Sequence, residues 1–166
     1  MNDTVTETQK KDFSHKKPYF NIYKPLQKEG MGAALQFSYD ANKRAIFLEA
    51  AQQKGVKLTI GSKEQFDWEN KIVFKIGTTD ISRMLPVFAG REREAKCLHS
   101  QQGTGRTSVL EFIQGEYQGK TNFSLKLSRT ADGKTRRIGM FISQEEAGIL
   151  AHFVRESLTR MLGFGE

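Results

Sequence analysis

Sulfur chemistry is nearly absent from this chain of 166 residues: Cys97 is the only cysteine, so no internal disulfide can form and nothing points to an oxidising compartment. Proline is scarce as well, confined to Pro18, Pro25 and Pro86. No apolar run approaches the roughly 20 residues of a spanning helix, and the N-terminus has no apolar segment of the signal-peptide kind. Asp3, Glu7 and Asp12 also argue against a transit peptide, which is normally poor in acids. Together these absences predict a cytoplasmic protein without a membrane anchor.

Catalytic patterns are missing too. Gly119-Lys120-Thr121 and Gly133-Lys134-Thr135 end like a phosphate-binding loop, but the upstream glycine is replaced by Gln114 and Ser128. Gly103-Thr104-Gly105 is a lone G-x-G with no strand-to-helix context. Cys97 and His99 share a strand face, yet His15 falls in a tail and His152 on a polar helix face, so no metal set forms. Carboxylates pair only where capping explains them, as at Glu145 and Glu146. The expectation is a protein that is not an enzyme and carries no cofactor.

What the chain has in excess is positive charge, 26 Lys and Arg against 19 Asp and Glu, for a formal net charge of +7. Such a balance favours an anionic partner, nucleic acid first. The first 17 residues read as a disordered basic arm, and residues 18–166 as one domain, since no linker divides them.

The organising stretch is Phe66 to Gly90. Ile72, Phe74 and Ile76 alternate with Lys71, Val73 and Lys75, the pattern of a half-buried strand with lysines on its open face. Beyond Gly77 the period changes: Thr78 or Thr79 can cap a helix whose Ile81, Met84, Leu85 and Phe88 share a face, shortened near its end by Pro86.

Upstream, Pro18 to Leu26 reads as an edge strand, and Leu35, Phe37 and Tyr39 mark another. Lys43 to Ala50 returns as its partner after a turn at Asp40 to Asn42, with a helix as the rival reading, and Val56 to Ile60 adds a further strand. Downstream come a short strand at Ala95 to Ser100, a mobile loop from Gln101 to Thr107, and strands at Ser108 to Ile113 and Asn122 to Leu127 around a Gly115 and Gly119 turn. Asp132-Gly133 is a hairpin turn leading to Arg136 to Ile142. Ser143 to Glu146 is a capping box opening a helix to about Met161 that buries Leu150, Val154, Leu158, Met161 and Leu162.

Basic and aromatic residues therefore crowd open sheet faces. Lys120, Lys126, Arg129, Lys134, Arg136 and Arg137 load the last hairpin against Asp132 alone, and Lys57, Lys71 and Lys75 repeat the theme earlier. Surfaces of this kind suit single strands, with cations tracking phosphates and rings stacking on bases.

The order of the segments then resembles the Whirly family of single-stranded DNA binding proteins, within the wider group of PC4-type coactivators and trypanosomal guide-RNA-binding proteins. The resemblance runs from about Tyr19 to the C-terminus. It is carried by Ile22-Tyr23-Lys24 with Gly32 to Leu35, by FDWENKIVF at Phe66 to Phe74, by TDISRML at Thr79 to Leu85, by FSLKLS at Phe123 to Ser128 and by MLGF at Met161 to Phe164. The chain departs from the family pattern at Lys28 to Met31, which spreads a basic motif apart, and at Pro86.

The resemblance implies an α+β fold of two four-stranded antiparallel sheets packed crosswise with two helices, ββββα repeated, in a homotetramer. It also implies binding of single-stranded DNA with little sequence preference during replication, repair or recombination, in association with the nucleoid. RNA binding on the same scaffold and transcriptional regulation through promoter DNA are the alternatives. Lys24, Lys28, Lys57, Lys71, Lys75, Lys126, Arg136 and Arg137 are expected to meet phosphates, and Tyr23, Phe37, Trp68 and Phe74 to contact bases.

Overall fold

In the computed structural model, residues 17–26, 31–55 and 65–164 are described. The expected arm before Lys17, Lys28, and the expected strand Val56 to Ile60 with its Lys57 fall outside them.

The first half is a four-stranded antiparallel sheet in sequence order: β1 (Tyr19–Lys24), β2 (Ala33–Asp40), β3 (Ala45–Gln52) and β4 (Ile72–Ile76). The alternation of Leu35, Phe37 and Tyr39 places them all on the buried side, facing the core with Ile46, Leu48, Ile72, Phe74 and Ile76. The rival helix at Lys43 to Ala50 does not form. That segment is a central strand whose backbone pairs with β2 on one side and β4 on the other, and this two-sided ladder overrides its helix formers.

The helix α1 (Thr78–Phe88) follows β4 directly. Its N-cap is Gly77 rather than either threonine, and the carboxylate of Asp80 reaches back to accept from the Gly77 amide at 2.9 Å. Pro86 sits in the last turn, where its missing N–H costs one bond. Its carbonyl accepts from the Arg91 amide at 2.9 Å as the chain leaves.

The second half repeats the order with longer strands: β5 (Glu94–Gln101), β6 (Arg106–Tyr117), β7 (Lys120–Ala131) and β8 (Lys134–Ser143), then α2 (Gln144–Met161). The expected loop at Gln101 to Thr107 is only a four-residue turn. Gly115 lies within a strand, paired with Asn122, so the turn between β6 and β7 narrows to Gln118 and Gly119, both at positive φ. At the next hairpin Asp132 and Gly133 take φ values of 53° and 72°, as the Asp-Gly pair predicts. Ser143 Oγ accepts from the Glu146 amide at 3.2 Å while Glu146 Oε2 accepts from the Ser143 amide at 2.8 Å, so the capping box at the start of α2 closes in both directions. Leu162, expected in the core, is exposed because the helix ends one residue earlier and Gly163 turns the chain at positive φ.

The inner faces of the two sheets meet crosswise, with β8 lying over β2 and β3 and β4 over β7. One hydrophobic cluster runs through both sheets and both helices, from Ile22 to Met161. Phe37 and Phe74 belong to it, at 0% and 1% exposure, so neither has a ring face to offer a base. The strand alternation that made them conspicuous is the alternation that buries them.

Candidate nucleic-acid interface

Strand parity and register fix what each sheet shows to solvent. On the outer face of the first sheet, Tyr23 stands beside Ala34 and Ala51, Asn21 beside Gln36, Glu49 and Val73, and Tyr19 beside Ser38, Phe47 and Lys75. Phe66, fully buried, lies on Ala34 and Ala51, with Tyr23 and Trp68 packed against this small cluster. Tyr23 and Phe66 rings are 5.8 Å apart. Of the two lysines expected to decorate this face, Lys71 is held by Glu49 at 2.8 Å and Lys75 is exposed. Much of the first outer face is thus already covered.

Among the described residues the outer face of the second sheet is the more open one, and its registers form rows across all four strands. Glu94, Ile113, Ser124 and Phe141 make one row, Lys96, Glu111, Lys126 and Gly139 the next, and Leu98, Val109, Ser128 and Arg137 the third. Phe141 is 73% exposed and Leu98 57% exposed. Lys96 takes the Glu111 carboxylate at 3.3 Å, while Lys126 and Arg137 are exposed cations on neighbouring rows.

Beyond the core, β6, β7 and β8 extend as a ribbon whose reverse side is also basic. His99, Ser108, Arg129 and Arg136 form one inner-face row, and past it Gln101 pairs with Arg106 and Ala131 with Lys134 at the two hairpin ends. Arg136 and Arg137, adjacent in sequence, therefore point to opposite faces and cannot belong to one track. His99 ends the dry region: its Nε2 lies 3.1 and 3.2 Å from the two Asp80 carboxylate oxygens, and its ring stacks on Phe74 at 4.3 Å. Burial, and next to it the Asp80 charge, push the neighbouring Cys97 thiol up to about 12, so it is a packing group rather than a nucleophile.

Lys24 joins the two sheets. It pairs with Glu146 at 2.6 Å, at the start of α2, and lies on the rim of a cleft of about 370 Å³ with Lys126, Met31, Met140 and Phe141. Of the expected contact residues, the structure therefore groups Lys24, Lys126 and Arg137 along the second sheet. It sets Tyr23, Trp68, Lys71 and Lys75 on the first outer face, puts Arg136 on the reverse of the ribbon, and inters Phe37 and Phe74. Phe141 and Gly139 were missed from the sequence, although the alternation Arg137, Gly139, Phe141 along one strand carried the signal. Among the described residues no group of His, Cys, Asp and Glu could hold a metal ion.

No protein-family model matches the sequence, and no curated protein matches it. Solved structures do match the fold. A guide-RNA-binding protein complex bound to a guide RNA superposes with a TM-score of 0.71 at 16% identity, covering 90% of this chain and 95% of that one. WHY1 from Arabidopsis thaliana gives 0.69 at 19% identity over 90% and 88%. The plant transcriptional regulator PBF-2 gives 0.63 at 17% identity over 89% and 83%. With two four-stranded antiparallel sheets, each followed by a helix, and Whirly proteins among its structural neighbours, the chain has the Whirly fold.

Proposed function

We propose that the protein binds single-stranded nucleic acid without catalysis, DNA in the first instance, and coats or protects exposed strands in replication, repair or recombination. The observation that carries this reading is the outer face of the second sheet, where the exposed cations Lys126 and Arg137 stand one and two rows from the exposed ring of Phe141. Cations there would track phosphates and the ring would stack on a base, the combination that serves single strands regardless of sequence. Lys24, already paired with Glu146, lies where the track would continue towards the first sheet, and Lys75, Tyr23 and Trp68 offer a weaker continuation on its outer face. RNA is the second reading, favoured by the guide-RNA complex among the structural matches.

A homotetramer is part of the proposal. Gly148 sits exposed inside α2 with open space where a Cβ would be, beside Ile149 at 56% exposure, and glycine in a helix interior costs about 1 kcal/mol relative to alanine, which a closely packed neighbour could offset. Helices of a second copy are the occupants this reading assigns to that face.

The test is anisotropy of labelled oligo-dT, oligo-U and a duplex of equal length, titrated at several salt concentrations. Oligo-dT is expected to bind most tightly, with log affinity falling by about 0.7 per phosphate contact for each unit of log salt. Absence of binding at low salt overturns the proposal, a preference for oligo-U selects RNA, and a preference for duplex selects promoter regulation. Light scattering of the free protein at a single protomer mass would remove the tetramer.

A further inference from the structure

Gly139 has no backbone reason to be glycine. It lies inside β8, outside the set of residues at positive φ, so any side chain could adopt its conformation. Glycine there weakens the strand, and interior strand glycines commonly mark a place where a ligand comes close. A Cβ at this position would meet Lys126 Cγ at 3.3 Å and the Leu125 carbonyl at 3.4 Å, narrowing the space beside the Lys126 stem.

That space is the join between two hollows. On one side is the cleft of about 370 Å³, within the roughly 300 to 1,000 Å³ of ligand-sized sites, with apolar walls from Leu26, Met31, Met140 and Phe141. On the other side a smaller hollow runs past Ser128 to Arg137. Phe141 and Arg137 are two residues either side of Gly139 on the same strand face, so ring, gap and cation follow one another along β8, with Lys126 opposite the gap. The nearby carboxylates are occupied: Glu146 takes Lys24, and Glu111 takes Lys96. The rim is therefore cationic and the wall is unbranched, polarizable methionine and aromatic surface, which adapts to flat rings of differing outline.

We propose that the Gly139 gap is a base-binding subsite: one unstacked nucleobase enters beside Phe141, against Leu26, Met31 and Met140, while the flanking phosphates rest on Lys126 and Arg137. This rests on the single-strand reading above and adds to it a particular place where a base, as distinct from the backbone, is held. Methionine and phenylalanine offer no fixed donors or acceptors, so the subsite takes any base.

The test compares oligo-dT with an oligomer of the same length made of abasic residues, on wild type, Gly139→Val and Phe141→Ala. Fold is checked by circular dichroism and thermal melting. Phe141 is mostly exposed, so its variant keeps the experiment decisive even where Gly139→Val misfolds. Each substitution is expected to weaken oligo-dT about tenfold, as loss of one base stack does, and to leave abasic binding and the salt slope unchanged. Wild-type affinity for oligo-dT in Phe141→Ala, or an equal loss for the abasic oligomer, overturns the subsite while leaving strand binding in place. Wild type that binds neither oligomer overturns strand binding itself.

Discussion

The two sheets share strand order and both feed a helix, yet they treat their outer faces in opposite ways. The first sheet covers part of its outer face with its own chain: Phe66 lies on Ala34 and Ala51, Tyr23 and Trp68 close round it, and Lys71 is tied to Glu49. The second leaves its outer face open and projects 12-residue strands beyond the core, charged on both sides. A sheet of five to eight residues per strand is used up in packing, whereas extra length past the packed region is free to carry charge without desolvating it. The repeat thus yields one covered and one open outer face from a single topology.

The sharpest way to break that contrast is to truncate one ring in each sheet. Phe74→Ala on the inner side of the first should cost about 3–5 kcal/mol of stability. Phe141→Ala on the outer side of the second should stay within about 0.5 kcal/mol, since surface changes of this kind rarely exceed it. Urea unfolding of both variants measures the difference, and comparable losses would mean that the second face is also packed.

Next in size is the charge contrast. The double variant Lys126→Ala, Arg137→Ala should reduce the salt slope for oligo-dT by about 1.4, two single-strand phosphate contacts' worth, and weaken binding accordingly. Lys71→Ala with Lys75→Ala should remove at most one contact, because Lys71 already has Glu49. Equal slopes for the two doubles would place the track on both sheets alike.

The helix starts differ in the same spirit. Ser143→Ala at α2 should cost about 1 kcal/mol in thermal or urea melts, as loss of a side-chain cap does. The start of α1 has no such side chain to lose, since its cap is glycine and Asp80 supplies the bond.

Near neutral pH the smallest effect is expected of Cys97, on the inner side of the second sheet. With its proton held to about pH 12, the native thiol should give no reaction with a disulfide reagent at pH 8, and should react after unfolding. In linkage terms, the unfolded chain releases that proton near pH 9 and the folded chain keeps it, so the thiol's contribution is intact below pH 9 and is lost as pH climbs towards 12. Comparing the stability of wild type with that of Cys97→Ala across that window isolates the thiol's share. A thiol that reads out at pH 8 would show the inner face to be wet.

Much of this architecture could be read from the chain because its signals are local. The alternation at Ile72 to Ile76, the Asp132-Gly133 turn and the box from Ser143 to Glu146 each specify structure within a few residues. Strand ends were less legible: β6 and β7 extend well past their apolar stretches because pairing with each other, from Thr107 and Thr130 to Tyr117 and Lys120, maintains them without burial. The site was harder still. A phenylalanine in an alternating run reads the same whether its side of the sheet is packed or bare, and only the placement of the second layer separates Phe37 and Phe74 from Phe141. Parity alone, by contrast, could have divided Arg136 from Arg137.

A single apolar interior, shared by both sheets and both helices, also governs how the molecule comes apart. Neither half owns a core that would survive alone, and Asp80 adds a rivet, binding the Gly77 amide in one half and His99 in the other. Despite the doubled design, melting is then expected as one cooperative event with coincident transitions by every probe, and neither half alone is expected to fold.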